Sequence, residues 1–135
     1  MPRFVLTPLL LFAALLMSAP ADACRCIPPK PPKESLEKSL GVFAGKVTAT
    51  KVQGRELLVT VAVSQSWKGT PAKEVTVRTN TSSAACGYGF KVDQEYLIYC
   101  TGEKDGVWAT NICTRTRPLA NAKEDLEALG PGEMP

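Results

Sequence analysis

Histidine is absent from the sequence. Its absence removes Ser–His and Cys–His nucleophile pairs and every histidine-ligated zinc site. Paired C-x-x-C spacing is also missing, which excludes a four-thiolate zinc site of that kind and a thioredoxin-like redox motif. There is no basic cluster beyond Arg115 and Arg117, and a net charge of +3 over 135 residues is too mild to argue for a nucleic-acid partner. Internal repeats are lacking, and low complexity is confined to one proline-rich stretch. After residue 17 no apolar run approaches the ~20 residues needed to cross a bilayer. Glu124, Asp125 and Glu127 read as surface charge on a C-terminal helix rather than as acid–base machinery. The chain is therefore expected to be no enzyme and to need no cofactor.

What is present begins with an export signal. Arg3 supplies a positive charge, Phe4 to Met17 is almost wholly apolar, Pro20 ends any helix, and Ala21-Asp22-Ala23 is an A-x-A cleavage site. Residues 1–23 are expected to be removed, leaving Cys24 at the mature terminus. Residues 24–130 then form one domain by length, and residues 131–135 a flexible tail. The expected location is secreted or periplasmic, where disulfides are permitted. Five cysteines remain, namely Cys24, Cys26, Cys86, Cys100 and Cys113, so one thiol is left over.

The arm Cys24-Arg25-Cys26-Ile27-Pro28-Pro29-Lys30-Pro31-Pro32 is stiff and extended, because its prolines exclude helix and central strand. Residues 34–40 are predicted as a short helix with Leu36 and Leu40 on one face. Strand signals follow over 42–52, with Gly45 marking a bulge, then over 57–67 and 74–79 with period two. Residues 80–89 form a loop carrying Cys86, and 96–100 a buried strand. Asp105-Gly106 turns a hairpin into a last strand over 107–113. Residues 119–129 are predicted helical, stopped by Gly130. Five strands in an exported chain of this size suggest a mainly β fold. The expectation is a five-stranded, OB-like Greek-key barrel with a short N-terminal and a longer C-terminal helix.

Cleavage after Ala23 would free the Cys24 α-amine, whose pKa in peptides is roughly 7.7–8.0. That amine and the carbonyl oxygen of the same residue can close a five-membered chelate on a metal. One chelate is too few ligands to hold zinc alone. It suffices to complete another protein's catalytic zinc, which keeps a position open. Adjacent cysteines flanking one residue cannot comfortably bond each other, so each must reach elsewhere. Spacing alone leaves the connectivity open, since each choice of leftover thiol allows three pairings of the other four. Cys100 with Cys113 is disfavoured, because a hairpin at Asp105-Gly106 sets Cys100 opposite about residue 111.

The opening Cys24-Arg25-Cys26-Ile27-Pro28-Pro29-Lys30-Pro31 resembles the mature start of the tissue inhibitors of metalloproteinases. Phe43-Ala44-Gly45-Lys46-Val47, Trp67-Lys68-Gly69, Ala85-Cys86-Gly87-Tyr88, Tyr96-Leu97-Ile98 and Ile112-Cys113 are similar to their later motifs, in order, so the resemblance runs from Cys24 to about Thr116. It implies a netrin-like, OB-type domain with bridges Cys24–Cys86 and Cys26–Cys113, leaving Cys100 as a buried small hydrophobe. It also implies an inhibitory ridge of Cys24, Arg25, Cys26 and Ile27 beside Ser83, Ala84, Ala85 and Cys86. In that ridge the Cys24 amine and carbonyl would face a partner protease's zinc, with no metal of the chain's own, and Arg25 would enter the pocket beyond it. The partner would be an extracellular or periplasmic zinc metalloprotease, met by a monomer.

Two departures are plain. The family usually carries a small or moderately apolar residue at the Arg25 position. Its third barrel disulfide and its cysteine-rich second domain are also missing, as in a single-domain, bacterial-type relative. The alternative reading is a non-inhibitory netrin-like binding or structural module at the cell surface or in the periplasm, anchored by lipid if Cys24 is acylated. A stacking role for Trp67, Trp108, Tyr88, Tyr96 and Tyr99 on an oligosaccharide or nucleic acid is a third. Asn80-Thr81-Ser82 reads as a glycosylation sequon, meaningful only in a eukaryotic secretory pathway.

Overall fold

The computed structural model describes residues 23–69 and 72–135. The expected signal segment lies outside the described residues, apart from Ala23. Among the described residues no helix is long and apolar enough to cross a membrane.

Helix α1 spans Pro32–Lys38, two residues earlier than predicted. Pro32 suits the first turn, where its missing N–H costs nothing. The Ser39 N–H and hydroxyl both donate to Ser35 O, at 3.0 and 2.7 Å, and end the helix. Leu40 is consequently not on a helix face. Its N–H donates to Cys100 O and its side chain is exposed.

Strands β1 (Gly41–Gln53) and β2 (Glu56–Lys68) form a long hairpin, turned by Gly54 at φ +62°. The register slips between Ala44 and Gly45. A Cβ at Gly45 would stand 2.5 Å from the Ala62 carbonyl oxygen, so glycine is what lets the two backbones approach. Strand β3 (Glu74–Asn80) alternates as its sequence predicts, with Val75, Val77 and Thr79 inward. Strand β4 (Glu95–Cys100) is buried on both faces: Tyr96, Ile98 and Cys100 join one apolar cluster, Leu97 and Tyr99 another.

The expected five-stranded closed barrel is not found. The sheet has seven strands, adding β5 (Gly102–Lys104), β6 (Val107–Ala109) and β7 (Arg117–Pro118). Its hydrogen-bonded order is the open series β5-β6-β3-β2-β1-β4-β7, with only β3 and β6 parallel. The two flanks of that series are nevertheless joined by the chain, because Thr101 alone separates β4 from β5 and donates to Ala109 O at 2.8 Å. The sheet must therefore roll, and its inner face packs Phe43, Val47, Val59, Val61, Val77 and Ile98.

The last strand stops at Ala109 rather than at Cys113. Thr110 turns its hydroxyl onto Tyr99 O at 2.7 Å, and Asn111 Oδ1 accepts from the Cys113 N–H at 2.8 Å. Those bonds replace ladder bonds with a turn. The helix predicted over 119–129 is split into a 3-10 turn, Leu119–Asn121, and helix α2, Lys123–Leu129. Leu119, Leu126 and Leu129 pack with Leu36 and Trp67 over the outer face of β1 and β4. Residues 131–135, expected as a free tail, are tied at Glu133, which exchanges two backbone hydrogen bonds of 2.8 Å with Ser66.

Trp67-Lys68-Gly69 joins these layers. The Trp67 indole donates to Gly130 O at 2.8 Å. The Lys68 ammonium donates to the carbonyls of Leu36 and Glu37 at 3.0 and 2.8 Å, where the α1 C-terminus leaves them unsatisfied. Gly69, at φ +77°, lies against the Trp108 ring.

Candidate functional site

The loop after β3 is built from short-range hydrogen bonds. Asn80 Oδ1 accepts from the Ser82 N–H at 2.8 Å. Ser82 O then accepts from the Ala85 and Gly87 N–H groups at 3.1 and 2.9 Å. Ser83, Ala84 and Ala85 make one exposed 3-10 turn, and Cys86 leaves it at φ +64°. Gly87 is buried, and a Cβ there would collide with the Asn80 carbonyl. Asparagine, small residues and glycine are thus what a rigid loop needs at these positions.

Cys24 is bonded to Cys86, directly after that turn, and Cys26 to Cys113. Their Cα atoms are 5.0 and 5.1 Å apart, ordinary for disulfides. The two bridges lie side by side, with Sγ of Cys24 3.7 Å from that of Cys113. The sulfurs of Cys24, Cys26 and Cys113 all fall within 4.8 Å of one another. Engaged in bridges, they offer no thiolate, which is the form that ligates metal. Cys86 O accepts from the Ile112 N–H at 2.9 Å, so the bonded segments are stitched by backbone as well.

Cys24 and the Ser83–Ala85 turn are therefore brought together by a covalent bond. Arg25, Cys26 and Ile27 are exposed, Ile27 by 83%. Among the described residues Arg25 has no ion pair or side-chain hydrogen bond. Past Ile27 the arm stands off the domain over a cavity of about 240 Å³. It is caught again at Lys30, whose carbonyl accepts from Ser35 Oγ at 2.8 Å and from Arg115 Nη1 at 3.3 Å.

No family model and no curated protein matches the chain. What the ridge can do must be read from its own chemistry: a short, exposed, covalently clamped segment beside a rigid small-residue turn.

The aromatic residues are engaged elsewhere. Tyr96 and Tyr99 are buried, Trp108 meets Phe43 edge-on at 5.8 Å, and Tyr88 packs on Phe90 at 4.6 Å. Cys100 is free and fully buried, and burial pushes its thiol up to about 12.

One constellation escapes sequence reading. Asp125, expected on the solvated side of α2, is 0% exposed. Arg115 grips it through Nε at 2.6 Å and Nη2 at 2.7 Å, and the Tyr99 hydroxyl donates to it at 2.6 Å. Burial works to raise the Asp125 pKa, but the Arg115 and Tyr99 hydrogen bonds outweigh it and hold the carboxyl below its usual range. Burial, then the bond to Asp125, pushes the Tyr99 phenol up. A signal for Asp125 did exist: it falls three residues after Ala122 and four before Leu129, on the apolar stripe of its helix.

Proposed function

We propose that the chain is an exported, netrin-like inhibitor of a zinc metalloendopeptidase, acting through its ridge. The reading is carried by one observation. Cys24 is covalently clamped beside the exposed Ser83–Ala85 turn, while Arg25 to Ile27 remain uncovered. Rigid presentation of this kind reduces the ordering entropy lost on binding. Once residues 1–23 are removed, the Cys24 amine and carbonyl would supply two ligands to a partner's zinc, and Arg25 would enter the neighbouring pocket. Two disulfides in a small domain suit an oxidising compartment.

Arg25 narrows the partner. An unpaired guanidinium buried in an apolar pocket costs several kcal/mol, so the partner's pocket is expected to carry a carboxylate. The same residue favours a second reading, a non-inhibitory binding module, because an exposed arginine serves equally well on a recognition surface.

The deciding experiment compares the mature protein with a form extended by one alanine before Cys24, across metalloproteases of several clans. Loss of inhibition on extension is expected, because the extra residue removes the α-amine from the chelate. Equal inhibition by both forms rules the mechanism out. A diacylglyceryl thioether on Cys24 decides for the binding module, since it takes the sulfur from the Cys24–Cys86 bridge that clamps the ridge.

A further inference from the structure

Between Cys26 and Pro32 the arm has little packing to hold it. It bridges a cavity of about 240 Å³, with Ile27, Pro28 and Pro29 on the arm side and Tyr99 and Thr114 opposite. Its course is set by its two ends. One end is the bridge at Cys26. The other is the Lys30 carbonyl, held by the Ser35 hydroxyl at 2.8 Å and by Arg115 at 3.3 Å. Pro28 and Pro29 transmit that constraint because their φ angles are fixed.

Arg115 is itself immobilised. Its side chain is 8% exposed, and all three guanidinium nitrogens are engaged. Nε and Nη2 form the two-pronged pair with Asp125, Nη2 also reaches Glu124 Oε2 at 3.3 Å, and Nη1 points to the arm. Asp125 is held in turn by the Tyr99 hydroxyl from β4 and has the Arg117 guanidinium 3.8 Å away. A planar guanidinium with two nitrogens spoken for aims the third in a fixed direction.

We propose that Arg115 is a positioning residue for the arm: gripped by Asp125 of the C-terminal helix, it fixes the Lys30 carbonyl and so sets how Ile27 is presented to a partner. The inference rests on the ridge reading for its consequence, but the brace itself is testable without any protease. Lysine in place of Arg115 keeps the charge yet cannot span Asp125 and Lys30 together. Loss of the Ser35 hydroxyl acts on the same carbonyl without touching Asp125.

The experiment measures backbone amide order parameters in the wild type, Arg115→Lys, Ser35→Ala and the double variant. Ile27 and Lys30 carry the readout, since Pro28 and Pro29 have no N–H. In the wild type both amides are expected near the rigid value of about 0.85. In the double variant Lys30 is expected to fall towards about 0.6, with each single variant between. The α2 amides of Leu126 and Leu129 should stay unchanged in Ser35→Ala, which separates arm positioning from general loosening. Unchanged values at Ile27 and Lys30 in the double variant overturn the brace. In parallel, Arg115→Lys is expected to weaken inhibition of a protease that the wild type inhibits by about tenfold. If the wild type inhibits none, the ridge reading fails, and the order parameters alone decide the brace.

Discussion

Asp125 concentrates the electrostatics of the domain in one buried group. Removing its charge leaves the buried Arg115 guanidinium with only the exposed Glu124 carboxylate, 3.3 Å away, as counter-ion, so Asp125→Asn is expected to cost about 3 kcal/mol in urea unfolding. The pH dependence follows from the depressed carboxyl. A group whose folded pKa lies below its unfolded value of ~3.9 stabilises the fold above that value and loses the contribution as pH falls through the folded one. Stability should therefore hold level from neutral pH to about pH 5, then fall below about pH 4. The Asn variant should show a shallower acid limb, and an identical limb would remove Asp125 from the account. Cys100 makes a second test at this scale. With its thiol pushed up to about 12 and no exposed surface, it should resist a thiol reagent at pH 8 in the folded protein. One equivalent should react only after denaturation, and fast labelling of the native protein would contradict its burial.

At the scale of elements, what the sequence announces depends on how local the cause is. Period-two alternation marks β2 and β3, and the run Tyr96–Cys100 marks a strand buried on both faces, because each pattern lies within the strand itself. Gly45 signals its bulge for the same reason. Strands β5 and β7 are three and two residues long, too short for any period, and exist only through partners distant in sequence. The premature end of β6 depends on side-chain bonds from Thr110 to Tyr99 O and from the Cys113 N–H to Asn111, which no alternation of apolar residues reveals. The candidate ridge is legible in the same uneven way. Its residues announce themselves by an unusual cysteine-and-proline spacing, whereas the Arg115 brace depends on a contact between separate elements. Lys68 tests the element scale directly. Its ammonium satisfies two carbonyls at the end of α1, and hydrogen bonds to a charged group are worth about 1.5–3 kcal/mol. Lys68→Met should lose about 1.5 kcal/mol and raise amide exchange in α1 while leaving β3 protected. Uniform loss of protection across the sheet would argue against a local capping role.

For the whole molecule, the two bridges close overlapping, interleaved loops across the rolled sheet, with sequence separations of 62 and 87. On the chain-entropy account either bridge alone would contribute about 4–5 kcal/mol. They are not independent, because their four cysteines adjoin in pairs. Cys24 and Cys26 are two residues apart, and Cys86 and Cys113 are 27 apart. With one bridge in place, the second closes a shortcut of only about 30 residues, worth about 3.5 kcal/mol. Converting either pair to serine should therefore cost about 3.5 kcal/mol and leave a folded domain. Converting both should cost about 8 kcal/mol, most of the 5–15 kcal/mol that single domains possess. The prediction is two cooperative urea transitions at reduced midpoints for the paired variants, and no cooperative transition at 37 °C for the protein lacking both bridges. A four-serine protein that unfolds near the wild-type midpoint would show that the sheet and helices stabilise the domain without the bridges. Their role would then be confined to fixing the arm, where Cys24 and Cys26 hold the exposed ridge.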